Sequence, residues 1–364
     1  MELTAVDELY LQRAYELAAR GIGNTAPNPP VGAVLVRDGR VVGEGYHHRA
    51  GEPHAERNAL ASAGSRARGA TAYVSLEPCN HVGRTPPCTE GLIEAGIVRV
   101  VLGAVDPNPK TNGRGIAALQ ERGIEVDVAG DARAAELVEI FSGSLRTDRP
   151  YVTLKMAMSL DGAIASRPGV AQWLTSEATR SYVRDLRIAH DAVMVGAGTV
   201  RVDDPQLTVR PPHHRLRPYV RIVACESDTV PVTSRIFAPA GGYARTIVLA
   251  PAGSSDRFEP LSRVADVVFA GDERSERLDL AAALRALRQR ELYSVLCEGG
   301  PTLAARLISG GLVDRFSWAI APVLLQREGA VAVLGDVDLG SRRLQFDGVR
   351  RAGPDLVVTG RFDV

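Results

Sequence analysis

Apolar and polar positions divide the chain into two successive runs of α/β elements. Leu9, Tyr10, Ala14, Leu17 and Ala18 recur at helical spacing, and that helix should stop at Gly21, before the turn-forming run Asn24-Thr25-Ala26-Pro27-Asn28-Pro29-Pro30. Residues 31–36 and 40–45, joined through Asp38-Gly39, read as a hairpin, because a two-residue Asp-Gly turn matches the twist of the strands it connects. A helix starting near His54 follows, then a strand over 71–76, a helix over 89–95, a strand over 99–104, a helix over 116–122 and a strand over 125–128. Helical residues 131–141 run into Arg146-Thr147-Asp148-Arg149-Pro150, a polar, proline-ended stretch expected to separate a first domain, 1–146, from a second, 150–364. The second run predicts strands at 151–157, 192–195, 220–224, 246–249, 267–270 and 294–297, helices near 177–189, 280–289 and 302–309, and a strand-rich last fifty residues. No internal repeat or low-complexity segment interrupts it.

A length of 364 residues suits two domains, and 45% apolar with 24% charged residues is the composition of ordinary globular proteins. The 43 basic residues balance 43 acidic ones, so no global field draws the chain to nucleic acid or to an anionic membrane. Only Lys110 and Lys155 are lysines; Lys110 reads as the solvated end of a turn, and Lys155 stands in a predicted strand. Four cysteines are too few for a disulfide framework and fit a reducing compartment. Asp7, Glu8, Arg13, Glu16 and Arg20 deny residues 1–21 the apolar core of a signal peptide, and no run of about 18 apolar residues is present. A cytoplasmic protein, not bound to a membrane, is the expectation.

Chemistry concentrates first in His54-Ala55-Glu56 and Pro78-Cys79, each expected to open a helix, with Cys88 beyond. Three N/S ligands suit Zn2+ and leave its fourth tetrahedral position for water, the arrangement of a catalytic site. Helix N-termini favour thiolate and hydroxide alike. Glu56, two residues past His54, can approach the open position without being a ligand, where a carboxylate shuttles a proton from the attacking water to a leaving amine. The alternatives are a helix-start histidine with two small buried cysteines, and a structural zinc completed by His47, His48 or His81.

The segments Pro27-Asn28-Pro29-Pro30-Val31-Gly32, Gly51-Glu52-Pro53-His54-Ala55-Glu56, Leu76-Glu77-Pro78-Cys79-Asn80-His81-Val82-Gly83-Arg84-Thr85-Pro86-Pro87-Cys88 and Asp106-Pro107-Asn108-Pro109 resemble the bifunctional riboflavin-biosynthesis deaminase/reductases. The long stretch between the two cysteines sets this family apart from nucleotide deaminases that place two residues there. The resemblance spans nearly the whole chain and implies a cytidine-deaminase-like α/β/α domain followed by a dihydrofolate-reductase-like α/β domain. It implies that Asn28, His81 and Asn108 contact a pyrimidine and that Arg84 lies near its ribose phosphate. Asn28 and Asn108, each before a proline, read equally well as turn residues.

In the second half, Lys155-Met156-Ala157-Met158-Ser159-Leu160-Asp161-Gly162, Val195-Gly196-Ala197-Gly198-Thr199 and Glu298-Gly299-Gly300-Pro301-Thr302 each end a predicted strand. That edge of an open α/β sheet binds ligands, and glycines there let amides approach phosphates. Gly196-x-Gly198 lacks the spacing of a dinucleotide fingerprint and reads as a tight turn. With Gln172-Trp173-Leu174-Thr175-Ser176 and Asp203-Asp204-Pro205-Gln206-Leu207-Thr208, these motifs match the family's NADPH-binding half. The resemblance implies cofactor contacts from Ala157, Trp173, Thr199, Asp203 and Gly299, Gly300, Pro301 and Thr302. It implies substrate contacts from Arg187, Leu207, Arg210 and Glu298, with Lys155 at the reacting centre. Two departures stand out: Ala171, where a serine often contacts substrate, and Leu325-Gln326-Arg327, where a glycine pair is usual. Residue types alone make Trp173 a core or interface aromatic, Asp203-Asp204-Pro205 a capped turn, Cys225 and Cys297 core thiols, and the loop 210–218 solvated apart from Arg210.

These readings converge on an enzyme that hydrolytically deaminates 2,5-diamino-6-(ribosylamino)-4(3H)-pyrimidinone 5′-phosphate and then reduces its ribosyl side chain with NADPH. A homo-oligomer, a dimer, is the expected assembly. The alternatives are a sister enzyme acting on a related pyrimidine, a nucleic-acid-editing deaminase, and a zinc-stabilised ligand sensor without catalysis. Neutral charge and 5% aromatic residues disfavour the second, and the presence of Glu56 disfavours the third.

Overall fold

Thr4 starts the first helix. Its hydroxyl accepts the Asp7 N–H at 3.2 Å while its own N–H donates to the Asp7 carboxylate at 3.0 Å, a reciprocal cap. Helix α1 (Ala5–Ala19) buries Leu11, Ala14, Tyr15 and Leu17. Strands β1 (Gly32–Arg37) and β2 (Arg40–Tyr46) form the expected hairpin, with Asp38 at φ 51° and Gly39 at φ 70°, the two left-handed residues such a turn requires. Then come α2 (Ala55–Ala63), β3 (Thr71–Val74), α3 (Cys88–Glu94), β4 (Arg99–Leu102), α4 (Arg114–Glu121) and β5 (Glu125–Val128). Helices α5 (Ala132–Leu137) and α6 (Glu139–Ser144) replace the single helix expected over 131–141; they part at Val138, which leaves helical geometry (φ −104°, ψ 10°) with its side chain buried.

The five strands lie in the order β2-β1-β3-β4-β5, β1 antiparallel to both neighbours and the rest parallel. Alternate residues face opposite layers, as the two-residue period of a strand dictates. Val34, Val36, Tyr73 and Val101 pack with α1, whereas Ala33, Leu35, Val74, Val100 and Leu102 pack with Ala55 and Ala59 of α2, Leu92 of α3 and Leu119 of α4. Gly32 lets β1 press on α1: a Cβ there would stand 2.1 Å from the Ala14 carbonyl oxygen.

This computed structural model describes residues 3–83, 86–170, 173–209, 215–226, 229–239, 245–325, 329–335 and 343–363, and the chain divides into two compact units, Met1–Arg146 and Thr147–Val364. The second unit opens with β6 (Tyr151–Ser159), β7 (Ala163–Ala165), α7 (Glu177–Ala189), β8 (Ala192–Gly196), α8 (Ala197–Asp203) and β9 (Val220–Ala224). It continues with β10 (Ile247–Pro251), α9 (Ser255–Phe258), β11 (Asp266–Ala270), α10 (Leu280–Gln289), β12 (Ser294–Cys297) and α11 (Pro301–Ser309). Strands β13 (Arg315–Ala321), β14 (Val331–Ala332), β15 (Leu344–Ala352) and β16 (Asp355–Phe362) bear out the strand-rich C-terminal stretch.

Nine of these strands form one sheet, β11-β10-β9-β8-β12-β6-β13-β16-β15, parallel as far as β13 and antiparallel at its last two pairings. Val152, Leu154, Met194, Ile222 and Leu249 pack with Leu284 and Leu287 of α10 and Leu307 of α11. Val193, Val195, Val223 and Val248 form a second core with Phe258 and Leu261.

Three local expectations are corrected. Gly196-x-Gly198 is no tight turn but the start of α8, which is too short to show a helical period. The strand of Lys155 runs two residues further than expected, to Ser159, because β6 continues beside β13 after its neighbour β12 stops at Cys297. Within the loop read as solvated, Arg215 donates to the carbonyls of Arg187, Ile188 and His190, neutralising the C-terminus of α7, and its guanidinium lies over Tyr219. His213 and His214 lie outside the described residues. Among the described residues no helix is long and apolar enough to cross a membrane.

Candidate active sites

In the first unit three side chains converge from three backbone contexts. His54 is the N-cap of α2, Cys79 lies in the loop after β3, and Cys88 is the first residue of α3. No helix opens at Pro78-Cys79, and the one expected over 89–95 begins at Cys88. Pro87 biases the residue before it away from helical backbone, and the Cys79 carbonyl accepts the N–H groups of Cys88 and Thr89 at 3.1 and 3.3 Å, folding the loop back first.

His54 Nδ1 stands 3.6 Å from Cys79 Sγ and 3.4 Å from Cys88 Sγ. Tetrahedral zinc with Zn–S about 2.3 Å and Zn–N about 2.0–2.1 Å sets N and S ligands about 3.5 Å apart, so this donor set fits zinc. Among the described residues these three are the one His/Cys/Asp/Glu group with ligand spacing. Neither neighbouring histidine completes it. Both ring nitrogens of His47 are engaged, and His48 stacks on Tyr46 at 4.2 Å.

Without metal, the Cys88 side chain and then His54 hold the Cys79 thiol below its ordinary range, and Cys79 in turn raises His54. Glu56 is buried, and its Oε2 has no hydrogen-bond partner among the described residues. Burial, then the charge of Cys79, lifts its carboxyl above the usual carboxylate range. A buried, unpartnered carboxyl oxygen is costly unless something else uses it, and here it lies beside the ligands where a proton must move.

A cavity of about 170 Å³ opens on the ligands and is lined by Asn28, His54, Cys79 and His81 among others. His47 Nδ1 faces the Pro53 carbonyl at 3.1 Å and must donate to it, so Nε2 accepts from Asn28 Nδ2 at 3.1 Å. Burial pushes His47 down to about 4, keeping the ring neutral for this role, and the Asn28 amide is oriented by it. His81 Nδ1 is buried without a partner. Asn108 does not line the cavity; its side-chain oxygen accepts the Lys110 N–H at 3.1 Å, as a turn residue does. Arg84 lies outside the described residues.

Glu77 is the residue that sequence reasoning passed over. Its buried carboxylate accepts four backbone N–H groups, from Asp106 and Gly113 on Oε2 and from Gly115 and Ile116 on Oε1, at 2.8–3.2 Å. It thereby ties the loop of Cys79 to the 106–108 turn and to the N-terminus of α4. The signal was present only as a carboxylate two residues before Cys79.

In the second unit, Arg187 of α7 meets Glu298, just past β12, in a bidentate pair: Nε to Oε1 at 2.5 Å and Nη2 to Oε2 at 3.0 Å. Lys155 of β6 is partly buried beside them; burial lowers its pKa, Glu298 raises it, and Arg187 lowers it. Gly300 caps α11, with Pro301 in its first turn, and a Cβ on Gly300 would stand 3.2 Å from Thr199 Oγ1. The ends of the adjacent strands β8 and β12 thus bring Thr199, Gly299, Gly300, Pro301 and Thr302 together around a helix N-terminus, a cradle that fits a phosphate of NADPH. Ala157 is two residues beyond Lys155 on the same face of β6.

Other expectations fare differently. Trp173 is 77% exposed with the Arg180 guanidinium over its ring at 4.9 Å, so it is not a core aromatic. Asp203 ends α8, and Asp204 caps it in left-handed geometry. The side chain of Leu207 is buried in the core with Val195 and Val200. Cys225 and Cys297 are buried thiols as expected, burial pushing Cys297 up to about 12. Arg210, Ala171 and Gln326 lie outside the described residues.

Two family models match: the cytidine and deoxycytidylate deaminase zinc-binding region over residues 4–104, and the RibD C-terminal domain over residues 150–358. The chain is similar to riboflavin biosynthesis protein RibD of Escherichia coli strain K12, 42% identical over 96% of this chain and 98% of that one, and to RibD of Bacillus amyloliquefaciens, 39% identical over 97% and 96%. Among solved structures it is similar to Acinetobacter baumannii RibD (TM-score 0.83, 34% identity, 99% of both chains). It is likewise similar to a diaminohydroxyphosphoribosylaminopyrimidine deaminase/5-amino-6-(5-phosphoribosylamino)uracil reductase from Thermotoga maritima (TM-score 0.82, 35% identity, 98% of this chain and 99% of that one).

Proposed function

The chain belongs to the RibD family of riboflavin biosynthesis proteins, and on that footing we propose that residues 1–146 form its deaminase and residues 150–364 its reductase. It is a bifunctional enzyme: zinc-dependent deamination of 2,5-diamino-6-(ribosylamino)-4(3H)-pyrimidinone 5′-phosphate is followed by NADPH-dependent reduction of the ribosyl side chain to ribityl. The observation that carries the deaminase assignment is the triangle of His54 Nδ1, Cys79 Sγ and Cys88 Sγ beside the unpartnered Glu56 Oε2.

His54, Cys79 and Cys88 hold the zinc, whose Lewis acidity makes a water nucleophilic near neutral pH. Glu56 takes the proton at Oε2 and delivers it to the leaving amine; its raised pKa suits a group that must both accept and donate. Asn28, oriented by His47, and His81 face the cavity and hold the pyrimidine, with Asn108 and Arg84 assigned to the same substrate by family likeness. In the reductase, NADPH supplies hydride. Ala157, Trp173, Thr199, Asp203 and the turn Gly299, Gly300, Pro301 and Thr302 bind it, supported by the cradle at the N-terminus of α11. Lys155, beside the Arg187–Glu298 pair and favoured as a cation by the Glu298 carboxylate, positions a proton at the reacting sugar; Arg187 and Arg210 are assigned to the phosphate because guanidinium binds oxyanions as a fork.

A cytoplasmic location is supported by four cysteines that form no disulfide among the described residues. A homodimer is supported by the edge strand β15, whose Phe346 and Val349 are exposed. The deciding experiment supplies purified protein with the diaminopyrimidine phosphate, with and without NADPH, and identifies products by mass. The deaminated ribosyl product should form without NADPH and the ribityl product only with it; unreacted diaminopyrimidine in both cases refutes the assignment.

A further inference from the structure

Arg57 follows Glu56 on α2 and reaches to α3, where its Nη2 donates to the Pro87 carbonyl at 2.9 Å. Pro87 is the N-cap of α3, and the next residue is the ligand Cys88. The guanidinium occupies space that only glycine leaves at position 91: a Cβ there would stand 2.7 Å from Arg57 Cζ and Nη1 and 2.9 Å from Nε. Its Nε is buried without a partner among the described residues. A cation packed on the first turn of a helix, with an unsatisfied donor, is an arrangement that stability alone disfavours. Its hydrogen bond to Pro87 fixes the backbone that carries the second thiol to the helix that carries His54 and Glu56.

We propose that Arg57, seated against Gly91, is a positioning residue that locks Cys88 into metal-binding geometry and slows release of the metal. This rests on the zinc reading above. Partners that orient ligands typically change metal affinity about 10- to 100-fold when removed.

The test uses the full chain as wild type, Arg57→Met, Gly91→Ala and the double variant. Zinc transfer to a colorimetric chelator is timed, and the absorption of the cobalt-substituted proteins is recorded. Arg57→Met should speed zinc release about 10-fold or more and alter the cobalt–thiolate bands. Gly91→Ala should act in the same direction by displacing the guanidinium, yet add nothing in the Arg57→Met background, where alanine is otherwise the better helix former. A cooperative unfolding transition of the unit Met1–Arg146, retained in all variants, shows that it is folded, since reductase kinetics report only on the second unit. Wild-type release from Arg57→Met, or an undiminished Gly91→Ala effect in the double variant, overturns this proposal alone. A wild-type protein purified without zinc overturns the metal reading and the proposal with it.

Discussion

Arg187 and Glu298, 111 residues apart in the chain, close a bidentate ion pair beside Lys155, with their side chains only 18% and 11% exposed. The third face of the guanidinium donates to the Thr208 carbonyl at 3.3 Å. A phosphate reaching Arg187 must therefore compete with a carboxylate already seated on its fork.

Breaking that pair from one side should cost more than removing it. Arg187→Met leaves a buried carboxylate without its cation and should destabilise the reductase unit by about 3 kcal/mol. The Arg187→Met/Glu298→Gln variant should recover most of that loss. Denaturant unfolding of the four proteins of the cycle measures both values, and additive losses would mean that the two side chains do not act as a pair.

Lys155→Ala should abolish or strongly depress reduction while deamination continues, so that the deaminated ribosyl intermediate accumulates in the presence of NADPH. The lysine lies in the second unit with the pair just described, whereas all three ligands of the metal triangle lie in the first. Mass analysis of the products settles it, and undiminished ribityl product would reduce Lys155 to a buried strand residue.

Glu56→Gln should retain one zinc per chain and lose deamination by ~100-fold or more, since the amide keeps the shape and cannot carry the proton. Cys88→Ser should lose the zinc itself. Metal analysis beside turnover separates the two roles, and a near wild-type deamination rate in Glu56→Gln would remove Glu56 from the mechanism.

Asp106 gives the deaminase unit a pH dependence of known sign. Burial, partly offset by the Asn108 N–H at 2.8 Å and reinforced by Glu77, raises its carboxyl to about 6. A folded-state pKa above the unfolded one stabilises the fold fully below about pH 4, and this contribution is lost as pH rises through about 6. The loss is on the order of 2–3 kcal/mol. Asp106→Asn should therefore be relatively more stable than wild type at pH 7 than at pH 4; equal stability differences at the two pH values would place Asp106 in water.

Much of the metal centre was legible because its signals are local. A histidine two residues before a glutamate, a Pro-Cys and a second cysteine are short patterns, and the helix at His54, the Asp38-Gly39 turn and most strands follow from periods of two and 3.6 along the chain. The helix expected over 89–95 starts one residue earlier, at Cys88, whereas the one expected at Pro78-Cys79 does not form, because a loop closed by the Cys79 carbonyl has no period to read.

What only the tertiary structure decided is which polar side chains meet. The sheet order β8-β12-β6 is not the order of the sequence, and it alone brings residues 155, 199 and 298 to one edge. Glu77 finds amides 29 to 39 residues away, Arg57 needs a glycine on another helix, and the Leu207 side chain joins the core of Val195 and Val200. Amino-acid periodicity reports which face of an element is apolar, whereas the partner of a buried charge depends on which elements become neighbours, and that is settled by packing the whole core.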